Sequence, residues 1–224
     1  YPNIKRAVIS DVNQDLISCY EIIKDNPVKL ISLLKDIRDS YYQLPSLEEK
    51  SVFYYRMREK YNNEDLTPEE RSACLIFLNK TCFNGLYRVN AYGRFNVPFG
   101  KKNKVNTYDG QNLSIIHSYL NFNEITIQSI DFEESVKTAK SGDFIYFDPP
   151  YDSETSTFND YTENGFGKEE QVRLARVYKE LADRGCYVML SNHNTTLVKD
   201  LYKDYNIHVI KAKRNIGYTL EEMV

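Results

Sequence analysis

The sequence predicts an α/β fold, with a mainly parallel sheet interrupted by a helical lobe that ends in a hairpin-like segment. Three observations carry this. Short apolar or alternating runs at 4–9, 125–130, 143–147, 186–190 and 207–210 read as strands, and strands that alternate with helical patterning argue for parallel pairing. Residues 27–82 read as helical. Residues 83–100 then set two β-prone arms around a Gly-containing turn. With 224 residues and 42% hydrophobic content, the chain can build one good core plus an inserted subdomain.

The elements follow in order. The run 4–9 ends at Ser10-Asp11, which puts Asp11 at a strand's carboxyl end. Asn13 to Lys24 fit an amphipathic helix with Leu16, Ile17, Tyr20 and Ile23 on one side. Thr67-Pro68-Glu69-Glu70 is a helix start, with Thr67 as N-cap, Pro68 at the first position and Glu70 closing a capping box. Ile125 to Ile130 alternate as a strand does, with Asp131-Phe132 directly after and a short helix next. Lys168 to Arg184 fit an amphipathic helix carrying Val172, Leu174, Val177, Tyr178 and Leu181, stopped by Gly185. Cys186 to Leu190 read as a buried strand ending at Ser191-Asn192-His193, and a helix to about Tyr205 follows.

Residues 144–151 read Phe-Ile-Tyr-Phe-Asp-Pro-Pro-Tyr. Phe144 to Phe147 fit a buried strand. Pro149 and Pro150 cannot donate to a ladder, so the strand stops at Asp148. Ligands in open α/β sheets bind beyond the carboxyl ends of strands. An exocyclic amine on a nucleobase is a poor nucleophile, because its lone pair is delocalised into the ring. Two acceptors on its N–H groups draw the nitrogen toward sp³ and free that pair. Asp148 can accept one bond and the Pro149 carbonyl the other. Tyr151 can stack on the base, and Pro150 stiffens the turn so that the acceptors are in place beforehand. A bare Asp-Pro-Pro would read as a plain strand exit; the aromatic run before it and the ring after it favour a site.

The formal net charge of −3 argues against nucleic-acid binding, but its distribution reverses this. Lys80 to Asn106 hold six basic residues (Lys80, Arg88, Arg94, Lys101, Lys102, Lys104) and no acid, in a chain with 32 acids. Lys211, Lys213 and Arg214 form a second basic cluster. Local patches, not totals, meet phosphates. Cys19, Cys74, Cys82 and Cys186 form no Cys-x-x-Cys pair, so they read as reduced core thiols, and no metal is expected. No apolar run is long enough to span a bilayer and no signal-peptide pattern opens the chain, so the expected location is the cytoplasm. Abundant Lys, Asn, Ile and Tyr point to an AT-rich genome, bacterial or phage.

Six segments now stand in a definite order: Ser10-Asp11-Val12-Asn13, Phe83-Asn84-Gly85-Leu86-Tyr87-Arg88-Val89-Asn90, Phe95-Asn96-Val97-Pro98-Phe99-Gly100, Asp131-Phe132, Asp148-Pro149-Pro150-Tyr151 and Ser191-Asn192-His193. With them the chain resembles the Dam-type (class alpha) adenine-N6 DNA methyltransferases, most closely the GATC-specific methylases of DpnII-type restriction–modification systems. The resemblance implies a Rossmann-like, mainly parallel methyltransferase sheet with an inserted helical and β-hairpin DNA-recognition lobe. Residues 1–26 and 108–224 would form the S-adenosylmethionine-dependent methyltransferase domain, and 27–107 the target-recognition lobe. It implies S-adenosyl-L-methionine as cofactor, double-stranded DNA as partner and a restriction endonuclease counterpart acting on the same site.

By the same resemblance, Asp11 would hold the cofactor's ribose hydroxyls, Asp131 would accept from its adenine amine and Phe132 would pack on that ring. Asp148 would sit between cofactor and target amine. An Asp at that position points to adenine N6, where Ser more often marks cytosine N4. Arg88 would read a guanine edge by a bidentate contact. Leu86 and Pro98 would touch thymine methyls, Asn84 with Phe83 nearby would fill the gap left by a flipped adenine, and Asn90 and Lys101 would contact bases or phosphates. For Phe83, Leu86 and Pro98, packing within the hairpin is a nearly equal reading. Cytosine-C5 chemistry needs a Cys nucleophile, usually after a Pro, and none of the four Cys follows a Pro.

Family members also carry an aromatic and Gly-rich cofactor loop before the strand that holds Asp11, and a Gly/Ser/Lys/Arg-rich loop before the last strand. Here Tyr1 stands ten residues ahead of Asp11, and Ile216 joins Gly217 directly. The sequence is therefore expected to lack an N-terminal segment and an internal loop. Two other readings fit the same residues: a catalytically silent, sequence-specific DNA-binding protein, and methylation of another nucleobase amine, on cytosine N4 or RNA adenine.

Overall fold

A computed structural model describes residues 4–122, 124–153, 165–213 and 219–223, with side chains described through Lys211. The elements in chain order are β1 (Arg6–Ser10), α1 (Gln14–Asp25), α2 (Pro27–Tyr42), α3 (Leu47–Asn63), α4 (Pro68–Thr81), a 3-10 turn (Phe83–Gly85), α5 (Gly110–Phe122), β2 (Glu124–Gln128), α6 (Phe132–Ser135), β3 (Phe144–Phe147), α7 (Lys168–Asp183), β4 (Tyr187–Leu190), β5 (Asn192–His193), α8 (Thr196–Tyr202), β6 (Val209–Lys213) and β7 (Thr219–Met223). The fold is mixed α/β with small parallel sheets. Packing divides the chain into two compact units. One comprises Tyr1–Arg88 and Arg94–Ser135; the other comprises Val136–Val224 with the short stretch Val89–Gly93. This division by packing follows a different line from the expected division by role at 26/27 and 107/108. No described helix is long and apolar enough to cross a membrane.

In the first unit, β1 and β2 run parallel, in register from Arg6 with Glu124 to Ser10 with Gln128. The helices begin where local chemistry dictates. Asn13 caps α1 by accepting from the Leu16 N–H, and Asn26 caps α2 ahead of Pro27. The capping box of α4 forms as its sequence predicts, and Ser46 with Glu49 builds a second one on α3. Helix α4 buries Ala73, Cys74, Leu75, Phe77 and Leu78 and packs against α1, α2 and α3. Burying a side chain such as Phe77 contributes about 1.5–3 kcal/mol. The buried face of α1 is Ile17, Cys19 and Ile23, whereas Leu16 is exposed and Tyr20 half-buried. The expected stripe is therefore rotated, because α4 and α5 approach α1 from the Cys19 side of it.

In the second unit, β3 and β4 pair in parallel from Phe144 with Tyr187 to Phe147 with Leu190. Strand β7 lies antiparallel between β5 and β6. Helix α7 packs on β4 and stops at Gly185, whose φ of +88° a side chain would resist. Three expectations need correction here. The strands 144–147 and 187–190 are buried on one face only: Phe147 and Leu190 are covered, while Phe144 and Tyr187 are 65% and 70% exposed. The reason is the period of two, which sends alternate side chains to opposite faces, and α7 supplies cover for one. On α7 itself Val172 is exposed and the polar Gln171 is buried instead. The last helix ends at Tyr202, ahead of Tyr205.

Candidate active site and nucleic-acid interface

Two carboxylates stand at the carboxyl ends of the first parallel pair. Asp11 directly follows β1; its N–H donates to the Gln128 carbonyl (3.3 Å), and its Oδ1 accepts from the Asn13 N–H (2.7 Å). That bond leads into the Asn13 cap of α1, so the chain turns sharply and Asp11 stays exposed at the strand end. Its Oδ2 has no protein partner among the described residues. Asp131 lies three residues beyond β2 and accepts at Oδ1 from the Glu133 N–H (2.9 Å), which starts α6 and its first residue Phe132. Both Asp131 and Phe132 are half-buried. Strand pairing at Ser10 and Gln128 thus brings the ends that carry Asp11 and Asp131 side by side.

A third carboxylate ends β3. Asp148 is exposed, and its Oδ1 accepts from the Ser191 hydroxyl (2.8 Å), which itself shares a hydrogen bond with the Tyr146 hydroxyl (3.0 Å). Ser191 follows β4, so the parallel register delivers it beside Asp148. Among the described residues, nothing donates to Asp148 Oδ2 or to the Pro149 carbonyl. The Pro150 carbonyl, in contrast, accepts from Gln171 Nε2 (3.0 Å). The Tyr151 ring meets the His193 ring nearly at right angles, with centroids 5.1 Å apart. Beyond it, Asp152 is buried, with its N–H on Asn192 Oδ1 (2.8 Å) and its carboxylate on Thr195 Oγ1 (2.5 Å).

The 83–100 segment folds back on itself but forms no strand ladder. It holds an isolated antiparallel bridge between Cys82 and Phe99, and the Arg88 carbonyl accepts from the Asn96 N–H (3.1 Å). A hairpin-like loop is therefore present, without the two strands that its composition favours. The cause lies in α3. Asn62 both donates to the Phe95 carbonyl and accepts from the Phe95 N–H, and the Tyr54 hydroxyl donates to the Val97 carbonyl (2.8 Å). Side chains thus occupy backbone groups that a partner strand would otherwise take. Phe95, Val97 and Phe99 are buried, which points the residues between them outward.

Arg88 is exposed, and its Nε donates to Asn96 Oδ1 (2.7 Å). Its two terminal nitrogens have no partner among the described residues, so the guanidinium is braced at one side and open at the other. Phe83, Asn84, Pro98 and Lys101 are exposed. Asn84 and Lys101 both sit in the left-handed region, at φ of +53° and +51°, which marks strained positions. Leu86 is half-buried against the core, and Asn90 uses its Oδ1 on the Tyr92 N–H to shape the turn at 90–93. The basic stretch after Gly100 is tied down. The Tyr41 and Tyr42 hydroxyls donate to the Lys102 and Val105 carbonyls, and buried Lys50 donates to both oxygens of Asn103 (3.1 Å each). Lys101 and Lys104 therefore project from an anchored strap. Lys211 is exposed; its cluster partners Lys213 and Arg214 have side chains outside the described residues.

Residues 2–216 match the family described as D12 class N6 adenine-specific DNA methyltransferase. The chain belongs to this family. It is 43% identical to the Type II methyltransferase M1.LlaDCHI of Lactococcus lactis over 95% of this chain and 74% of that protein. It is 41% identical to the Type II methyltransferase M.MjaIII of Methanocaldococcus jannaschii, with the same coverage. Against the DNA adenine methylase of Escherichia coli K12 identity is 31%, over 96% of this chain and 74% of that protein. For this adenine-specific DNA methyltransferase, Cys19, Cys74 and Cys82 are poor nucleophiles. Burial raises the thiol pKa values of Cys19 and Cys82, and that of Cys74 to about 11. Cys186 is half-buried rather than a core thiol, and donates to the Lys140 carbonyl. A disulfide reagent applied to native methyltransferase at pH 8 is expected to label Cys186 first, and the other three only on unfolding. Fast labelling of Cys74 would contradict its burial.

Some bracing contacts show only in the structure. Gln171, outside every recognised segment, donates to the Pro150 carbonyl, the Tyr146 and Ser191 hydroxyls share a bond, and Asn96 Oδ1 accepts from Arg88 Nε. Ser191 and Asn192 belong to a recognised segment, but their link to Asp148 and Asp152 appears only once β3 and β4 are paired.

Proposed function

We propose that this methyltransferase moves a methyl group from S-adenosylmethionine to N6 of an adenine extruded from duplex DNA, within GATC. The observation that carries the reading is the pair of open acceptors, Asp148 Oδ2 and the Pro149 carbonyl, on adjacent residues at a strand's carboxyl end. The donor set suits the cofactor. A carboxylate at Asp11 matches vicinal hydroxyls, and Asp131 with Phe132 matches an aminated aromatic ring. Bound there, S-adenosylmethionine supplies an electrophilic methyl group on a sulfonium.

The chain's own residues supply the rest. Asp148 and the Pro149 carbonyl each accept one N–H of the amine, so the nitrogen lone pair leaves conjugation and becomes nucleophilic. Tyr151, set by His193, stacks on the base and offsets the cost of extrusion. Residues 27–107 form the recognition lobe, and 1–26 with 108–224 carry cofactor and chemistry on a Rossmann-like plan. Strand ends bearing Asp11, Asp131 and Asp148 support that plan. Arg88, braced by Asn96, presents two nitrogens to a guanine edge. Phe83, Asn84, Leu86, Pro98, Asn90 and Lys101 line the same readout. Two relatives bear Type II names, which supports a restriction endonuclease counterpart.

Label transfer from S-adenosylmethionine to duplexes with GATC, with an altered guanine, and without adenine tests the reading. Transfer to GATC alone is expected. Retained GATC binding with no transfer would favour a silent DNA-binding protein instead. Arg88→Ala is expected to cost about 1–3 kcal/mol of discrimination at the guanine. Undiminished discrimination would remove Arg88 from readout.

A further inference from the structure

We infer that Gln171 is a positioning residue of the transfer reaction, acting through the Pro150 carbonyl and the Asn192 side chain. The inference rests on the reading of Asp148 and Pro149 as the paired acceptors for the target amine.

Gln171 lies in the first turn of α7, on the face that buries Leu174, Val177 and Leu181, and it is 0% exposed. A buried amide on an apolar face needs partners. Gln171 finds them in the segments that follow β3 and β4. Its Nε2 donates to the Pro150 carbonyl and its Oε1 accepts from Asn192 Nδ2, both at 3.0 Å. Asn192, itself fully buried, turns its Oδ1 to the N–H groups of Asp152 and His193, each at 2.8 Å. The Asp152 carbonyl can only accept, so His193 Nδ1 carries a proton and donates to it (2.7 Å).

The chain is thus gripped at Pro150 and again at Asp152, on either side of Tyr151. On the upstream side the Ser191 N–H donates to the Phe147 carbonyl (3.1 Å). The segment between these grips contains both open acceptors. Proline rings fix φ at 149 and 150, and the residue before a proline is held extended. With φ fixed at Pro150 and its carbonyl pinned, the peptide plane that carries the Pro149 carbonyl has less freedom to swing. Small misplacements of reacting groups cost large rate factors. Gln171 is the one described side chain that holds the Pro150 carbonyl, and it does so from a helix outside every recognised segment.

The test uses Gln171→Met, which keeps length and removes both amide contacts, and Gln171→Asn, which keeps an amide too short to span both partners. Asp148→Ala and Leu174→Ala are the comparisons. Single-turnover rates at saturating GATC duplex and S-adenosylmethionine, affinities for both, and melting temperatures are measured. Both Gln171 variants are expected to lose roughly 10- to 100-fold in rate with both affinities unchanged. Leu174→Ala, which loosens α7 without touching the clamp, is expected to melt earlier at an unchanged rate. A wild-type rate in the Gln171 variants beside an inactive Asp148→Ala would overturn the clamp and leave the reading intact. An active Asp148→Ala would overturn the reading itself. Equal slowing by Gln171→Met and Leu174→Ala would reduce Gln171 to helix packing and overturn its positioning role. If Gln171→Met fails to fold, Gln171→Asn decides alone.

Discussion

Replacing Asp148 with alanine is expected to lower single-turnover methyl transfer by about 10³-fold or more, with duplex binding and melting temperature essentially unchanged. The size follows from what the carboxylate does in the proposed reaction. One oxygen is fixed by the Ser191 hydroxyl, and the other faces outward with no partner among the described residues. Removing it leaves the Pro149 carbonyl as a lone acceptor, so the amine keeps its conjugation. The fold should not notice. Asp148 is exposed, and Ser191 retains its bond to Tyr146. In the proposed reading, readout rests on residues of the 83–101 segment, so affinity for GATC should survive. Label transfer, fluorescence anisotropy and thermal melts measure the three quantities. Wild-type turnover in the variant would remove Asp148 from the chemistry; a collapsed melt would show that it is structural.

Gly100→Ala is expected to destabilise the protein by roughly 2–4 kcal/mol, from overpacking and a lost hydrogen bond together. A Cβ at Gly100 would stand 2.3 Å from the Cys82 carbonyl oxygen, 2.7 Å from its carbon and 2.8 Å from the Thr81 oxygen. All three are backbone atoms at the end of α4, so no side chain can rotate away. The Gly100 N–H also donates to the Thr81 carbonyl (2.9 Å), and that bond must lengthen if the strands of chain separate. For a chain of this size the loss corresponds to a melting temperature lowered by about 5–15 °C. Displacement at Gly100 carries Lys101 with it, so DNA affinity should fall alongside stability. An unchanged melt would mean that the segment does not approach α4 this closely.

What was legible in the sequence is what local chemistry decides. The Thr67 to Glu70 capping box and the Gly185 stop act over a few residues, and both form as read. Helix α5 has no counterpart among the expected elements, although Asp109 accepts from the Asn112 N–H at its start and Leu113, Ile116 and Leu120 recur at helical spacing. The β-prone arms at 83–100 make no ladder, because Asn62 and Tyr54 arrive from a helix 33 and 43 residues earlier to take their backbone groups. Val172 reads as core, yet it is exposed, and the polar Gln171 is buried instead with its amide on the Pro150 carbonyl. The same division runs through the site. Asp11, Asp148, Tyr151 and Arg88 announce themselves by motif, while the contacts that brace Asp148 and Tyr151 gain meaning only from pairing of β3 with β4 or from α7.

The parallel pairing of β1 with β2 has a consequence for how the chain comes to be folded. Arg6 meets Glu124, so the two partners are separated by 118 residues. Closing so long a loop costs little more free energy than closing a moderate one, since the entropy grows only with the logarithm of length. The delay is kinetic. On a ribosome β1 emerges before its partner β2 and waits while α1 to α5 are made. Those helices pack largely on partners that are not their sequence neighbours, α1 and α2 on α4 and α1 on α5, so their packing is complete only once α5 is made. Strand β1 is thus among the last elements of this unit to be paired, and its edge toward β2 stays open until residue 128 has left the tunnel.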